Sequence, residues 1–150
     1  MENNAPGRLK LKVTGILYII SAALTIIMGL LFLAGGTVFL TIDEGSSSFG
    51  SFLGVVAGAV GVVMVISAVY TLIMGILGVK NSNKPEKCGV NFVLGVIMLV
   101  FAVLGFLFTL VSVAGGSSAS SLVSSIVALV IAIIYTMGAK QNKNASRSEE

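Results

Sequence analysis

The chain has 150 residues, 56% of them hydrophobic and only 10% charged, and a mean hydropathy of +1.06. That leaves too little polar surface to cover a water-soluble globule. The net charge of +3 is divided among clusters beside apolar stretches, and the chain has no tryptophan and no recognisable nucleic-acid module, so a nucleic-acid partner is excluded. With no histidine and a single cysteine, Cys88, an internal disulfide and a Cys/His metal site are excluded too.

In chain order, Arg8, Lys10 and Lys12 precede a first apolar stretch, Val13–Ala34. This run is longer than the roughly 7–15 residues of a signal-peptide core and no A-x-A site follows, so it is expected to stay in the mature protein. The connection from Thr37 to Ser51 holds Asp43, Glu44 and the Gly45-Ser46-Ser47-Ser48 cluster. Asp43 and Glu44 are an adjacent pair with too few oxygens for calcium and read as a solvated loop tip. The second stretch, Phe52–Val79, exceeds the roughly 20 residues that cross a bilayer core and should tilt or project from it. Asn81-Ser82-Asn83-Lys84-Pro85 breaks the pattern before Cys88, which reads as a small residue opening a helix or as a lipidated thiol at the border. The third stretch is Val90–Val113, with Asn91 expected to cap or hydrogen-bond at the border. A Gly/Ser turn from Ala114 to Ser121 leads to the fourth, Leu122–Ala139. Lys140, Lys143 and Arg147 follow, in a tail expected to be solvated.

Every one of the 9 basic residues therefore lies on one side of the four stretches. Lys80, Lys84 and Lys87 lie between the second and third, and neither of the other two connections contains Lys or Arg. Because Lys and Arg are retained in the cytoplasm, both termini are expected inside.

Gly15, Ala22, Leu24 and Leu30 align at one offset with Gly95, Ala102, Leu104 and Leu110. At another offset Gly78-Val79-Lys80-Asn81 aligns with Gly138-Ala139-Lys140-Gln141. The pattern suggests two tandem helical hairpins related by a parallel repeat. Small residues also recur at heptad spacing: Gly15, Ala22, Gly29; Gly54, Gly61, Ala68, Gly75; Gly95, Ala102, Thr109; Ser118, Ser125, Ala132, Ala139. Such seams face one another when helices wind left-handedly at about +20°. The expected fold is thus an all-α membrane protein, an antiparallel left-handed four-helix transmembrane bundle forming a single domain. Gly50, Gly54 and Gly58 form a GxxxGxxxG ladder suited to an internal contact or to a dimer face.

No Asp, Glu, Lys or Arg lies within the four stretches, which argues against proton relays and ion-coupled pumping. The candidate site is an intramembrane polar cluster of Tyr18, Ser21, Thr25, Ser67, Tyr70 and Thr71. Thr14, Tyr18, Ser21 and Thr25 follow four-three-four spacing and share one helix face. These hydroxyls would serve either as a pocket for a ligand or lipid headgroup, or as interhelical hydrogen bonds contributing about 0.6 kcal/mol each. Tyr70, about 15 Å from the inner border, is expected to hydrogen-bond to the first span, with Ser21 nearest in depth. Nothing in the sequence calls for a catalytic residue, cofactor or metal.

The run Gly78-Val79-Lys80-Asn81-Ser82-Asn83-Lys84-Pro85-Glu86-Lys87 and the opening Leu11-Lys12-Val13-Thr14-Gly15-Ile16-Leu17 resemble those of small, largely uncharacterised four-transmembrane-helix proteins of Gram-positive bacteria. The resemblance implies a multi-pass protein of a bacterial plasma membrane. The topology is similar in shape to MARVEL and tetraspanin proteins, without the cysteines of their outer loops. The functional expectation is a non-enzymatic membrane accessory or interaction protein whose helix faces bind lipids, a membrane-protein partner or further copies of itself. The alternative is a small passive channel or transporter formed by oligomers.

Overall fold

The computed structural model describes residues 5–42, 48–116, 118 and 120–147. Regular structure among them is helical: α1 (Arg8–Ile42), α2 (Ser48–Asn81), a short 3-10 helix (Pro85–Lys87), α3 (Cys88–Ala114) and α4 (Ser120–Arg147). All four α-helices are long and apolar enough to cross a membrane, the all-helical multi-pass class expected from the apolar runs. Neither of the 2 prolines lies inside an α-helix. Each helix therefore satisfies its own backbone, as hydrocarbon demands. α3 ends where Gly115 and Gly116 donate N–H bonds of 3.0 Å to the carbonyls of Val111 and Val113. Gly116 has φ 97°, a left-handed stop that glycine adopts without steric cost.

The helices overrun the expected spans. α1 has 35 residues and α2 has 34; at 1.5 Å per residue each is about 50 Å long, against a hydrocarbon core of about 30 Å. The segment from Thr37 to Ser51, expected as a connection, is helical up to Ile42 and again from Ser48. Gly35-Gly36 does not stop α1 because Gly36 is used for close packing and apolar residues continue beyond it. Asp43, Glu44 and Gly45-Ser46-Ser47 lie outside the described residues. α4 likewise runs past Ala139 to Arg147, because Lys, Gln, Ala and Arg favour helix and its basic end complements the helix dipole.

Contacts divide the chain into two compact units, Leu17–Ile73 and the pair of segments Met1–Ile16 with Met74–Glu150. In the first unit α1 and α2 run antiparallel with their backbones touching. A Cβ added to Gly29 would lie 3.2 Å from the Gly61 carbonyl oxygen, and one on Gly61 2.9 Å from that of Gly29. A Cβ on Gly36 would meet the Gly54 oxygen and the Gly58 nitrogen at 2.8 Å. Ala22 and Ala68, at the intervening heptad positions, are buried. Ala22, Gly29, Gly61 and Ala68 are among the small-residue positions read from the sequence, and Gly54 of the glycine ladder serves this contact within the chain, its Cβ position lying 2.9 Å from the Gly36 oxygen.

In the second unit the Gly15 position lies against the Gly75 oxygen at 2.9 Å. The α3–α4 seam differs from expectation. Gly95 faces Tyr135 and Thr136 instead of an alanine, and Ala132 and Ala139 are buried. Ala102, Thr109 and Ser125 are half-buried and Ser118 is exposed. Bulky Tyr135 takes the space that two small residues would otherwise leave for backbone contact.

Candidate functional site

The six intramembrane hydroxyl residues all fall in the Leu17–Ile73 unit. Thr25 Oγ1 donates to the Ser21 carbonyl and Thr71 Oγ1 to the Ser67 carbonyl, each at 2.9 Å and each within its own helix. Ser21 and Ser67 are exposed, while Thr25, Thr71 and Tyr70 are half-buried. Tyr18 is 6% exposed. The two threonines return to the carbonyl one turn earlier and satisfy themselves there. A cavity of about 270 Å³ in the same unit is lined by Met28, Leu31, Phe32, Gly35 and Ala57, none of them from this cluster.

Polar chemistry is gathered instead at one end of the second unit. Asn142, on the α4 extension, is fully buried. Its Oδ1 accepts the backbone N–H of Gly7 at 2.6 Å, and its Nδ2 donates to the Ser82 carbonyl at 3.1 Å. One side chain thus ties the start of the chain to the α2–α3 connection and to the end of α4. Asn81 Nδ2 donates to Asn91 Oδ1 at 2.9 Å, and Asn91 Nδ2 to the Leu77 carbonyl at 2.9 Å. The second bond anchors the first turn of α3 on the last turn of α2, close to the bordering role expected for Asn91. The Cys88 thiol is buried and is shared between the carbonyls of Asn81 at 3.3 Å and Lys84 at 3.4 Å. It also receives the Asn142 amide at 3.6 Å. Enclosure of this kind fits a residue that opens a helix and leaves no room for an acyl chain on sulfur.

Deeper in, Tyr135 is fully buried and its ring is held between two glycines. A Cβ on Gly78 would lie 2.8 Å from ring carbon Cε2, and one on Gly95 3.1 Å from Cδ1. The hydroxyl donates to the Met74 carbonyl at 3.0 Å. Leu11 is buried and packs on Gly138. A Cβ on Gly7 would overlap the Gly138 carbonyl oxygen, so only glycine lets the N-terminal segment approach α4 this closely. Lys10 Nζ donates to Gln141 Oε1 at 3.1 Å, and the Lys143 ammonium sits 4.9 Å from the centre of the Phe92 ring, a cation–π contact.

The described parts of the two terminal segments, expected to be solvated, are therefore anchored in the fold at Gly7, Leu11 and Asn142. They are too short to fold alone, but Gly7, Leu11 and Asn142 give them partners. The three basic stretches, around residues 8–12, 80–87 and 140–147, are also brought to the same end of this unit by the bonds of Asn142.

The arrangement holds helices together and presents cations at one end. Among the described residues no group of three or more His, Cys, Asp and Glu side chains comes together. Comparison with protein-family models, with curated proteins and with solved structures finds no match to this chain.

Proposed function

We propose that the chain is a non-enzymatic accessory or interaction protein of a plasma membrane, which binds lipids or membrane-protein partners through its helix faces. In this reading the four helices make an antiparallel, left-handed transmembrane bundle of two tandem hairpins with both termini in the cytoplasm. The observation that carries it is the segregation of chemistry. The outward faces are apolar, as at Leu24, Phe101 and Phe108, while the buried asparagines and the basic stretches collect at one end. A cytoplasmic interface is where lysines beside the membrane are retained. Intramembrane threonines that bond within their own helices give a solute no polar path.

Liposomes that trap an ion-sensitive dye test the reading against its alternative. The reconstituted protein is expected to leave imposed ion gradients intact at every protein-to-lipid ratio. Leakage that rises with that ratio would favour a passive channel formed by oligomers and overturn the accessory role.

A further inference from the structure

A cavity of about 400 Å³ opens at the end of α2, against the 3-10 helix and the first turn of α3. Its walls are formed by Lys80, Lys87, Glu86 and Asn81 together with the apolar residues Leu77 and Val90. Lys80, Lys87 and Glu86 are exposed, and Asn81 is buried. Asn81 is also fixed in place, because its Nδ2 is committed to Asn91. Its Oδ1 accepts no hydrogen bond among the described residues. Two ammonium groups against one carboxylate leave a positive balance. Val90, 59% exposed, carries the wall on to the apolar outward face of α3.

We infer that this cavity holds the headgroup of an anionic glycerophospholipid of the cytoplasmic leaflet, its phosphate against Lys80 and Lys87 and its headgroup hydroxyls donating to Asn81 Oδ1 and the Glu86 carboxylate. The inference rests on the membrane orientation proposed above. Each part of such a lipid meets a matching part of the cavity. The phosphate takes charge-assisted bonds from the lysines, the hydroxyl-bearing headgroup supplies donors for the two acceptors, and the acyl chains follow Leu77 and Val90 into the bilayer. Bare inorganic phosphate would leave both acceptors without a donor and would set the carboxylate against the anion. Lysines beside the cytoplasmic leaflet draw anionic lipid in any case; the fixed acceptor and the apolar wall make this a site and not a diffuse surface charge.

The test is lipid retention by native mass spectrometry, after reconstitution in mixed phosphatidylcholine and phosphatidylglycerol and extraction in mild detergent. The parent should retain phosphatidylglycerol in preference to phosphatidylcholine. Replacing both Lys80→Gln and Lys87→Gln should cut that preference by about fivefold per lysine. Lys80→Arg with Lys87→Arg, which keeps both charges, should preserve it. The pair Lys140→Gln and Arg147→Gln, exposed positions away from the cavity, removes the same charge and should leave it within twofold. Equal losses in the two Gln pairs, or no loss in the first, would overturn the site. Displacement of the lipid by inorganic phosphate at the concentration at which glycerol phosphate displaces it would also overturn the headgroup assignment. Failure of the orientation would be seen separately, as labelling of cysteines near Lys84 from outside the cell while lipid retention persists.

Discussion

Gly78 gives the sharpest test of the packing around Tyr135. In Gly78→Ala the new methyl carbon would sit 2.8 Å from Tyr135 Cε2, 3.3 Å from the Leu11 carbonyl oxygen and 3.4 Å from Gly15 Cα. The ring has nowhere to move: Gly95 closes its other side, and its hydroxyl is tied to the Met74 carbonyl. Overpacking of this kind costs about 1–3 kcal/mol, and a position enclosed on both sides belongs at the upper end. The alanine returns about 1 kcal/mol of helix propensity. A net loss of about 1–2 kcal/mol is therefore expected in reversible unfolding by denaturing detergent. Gly105→Ala is the matched control, since nothing lies within 4 Å of a Cβ added there; it should be neutral or stabilising. In a Tyr135→Leu background the clash partner is gone, and most of the Gly78→Ala penalty should disappear as a coupling energy. If Gly78→Ala matched the parent, or if its penalty were unchanged in the Tyr135→Leu background, the ring would not be wedged between these glycines.

Asn142→Leu should cost about 2–4 kcal/mol in the same assay, because the Gly7 N–H and the Ser82 carbonyl both lose a buried partner; limited proteolysis should then cleave first near the N-terminus, and unchanged protection would argue against the tie. Gly61→Leu should destabilise far more than Thr25→Ala or Thr71→Ala, since it drives a side chain into Leu33 and the Gly29 carbonyl whereas each threonine loses only a bond within its own helix. Cys88 should resist a membrane-permeant maleimide in the folded protein and react after denaturation, and rapid labelling of the native protein would contradict its burial. For that reason topology is better read from cysteines introduced in a Cys88→Ala background, where Ser47→Cys should react only from outside and Arg147→Cys only from inside.

Much of this fold is legible in the sequence because hydrocarbon leaves few options. Uninterrupted apolar runs must become helices, and clustered lysines mark one side. The α1–α2 contact is legible for a related reason: when both partners are small, as with Gly29 and Gly61, the spacing alone shows where backbones meet. Helix ends are less so, because glycine pairs such as Gly35-Gly36 serve packing as readily as they serve turns. The hydroxyl cluster shows a different limit. Four-three-four spacing establishes a shared face, but not whether a threonine reaches across to a neighbour or back to its own helix. Asn142 was hidden by its surroundings, since an asparagine among lysines in a short tail reads as solvated. Its partners, Gly7 and Ser82, are remote in the chain. One signal did point there. The internal match of Gly78-Val79-Lys80-Asn81 to Gly138-Ala139-Lys140-Gln141 marks two stretches whose glycines both pack tightly, Gly78 on Tyr135 and Gly138 on Leu11.

The placement of the asparagines follows from what membrane helices lack. Lipid supplies no hydrophobic force between helices, so association depends on close packing and on hydrogen bonds. A polar side chain used as glue in mid-bilayer carries a desolvation penalty whenever the contact opens. Away from mid-bilayer an opened asparagine can find water, while in the closed state the bonds of Asn142 to Gly7 and Ser82, and of Asn91 to Leu77, set register between the segments they join. Glycines hold α1 against α2, and Asn142 joins the start of the chain, the α2–α3 connection and α4. Lys80 and Lys87, at the same end, are exposed, and the lipid site proposed above would draw on their charge.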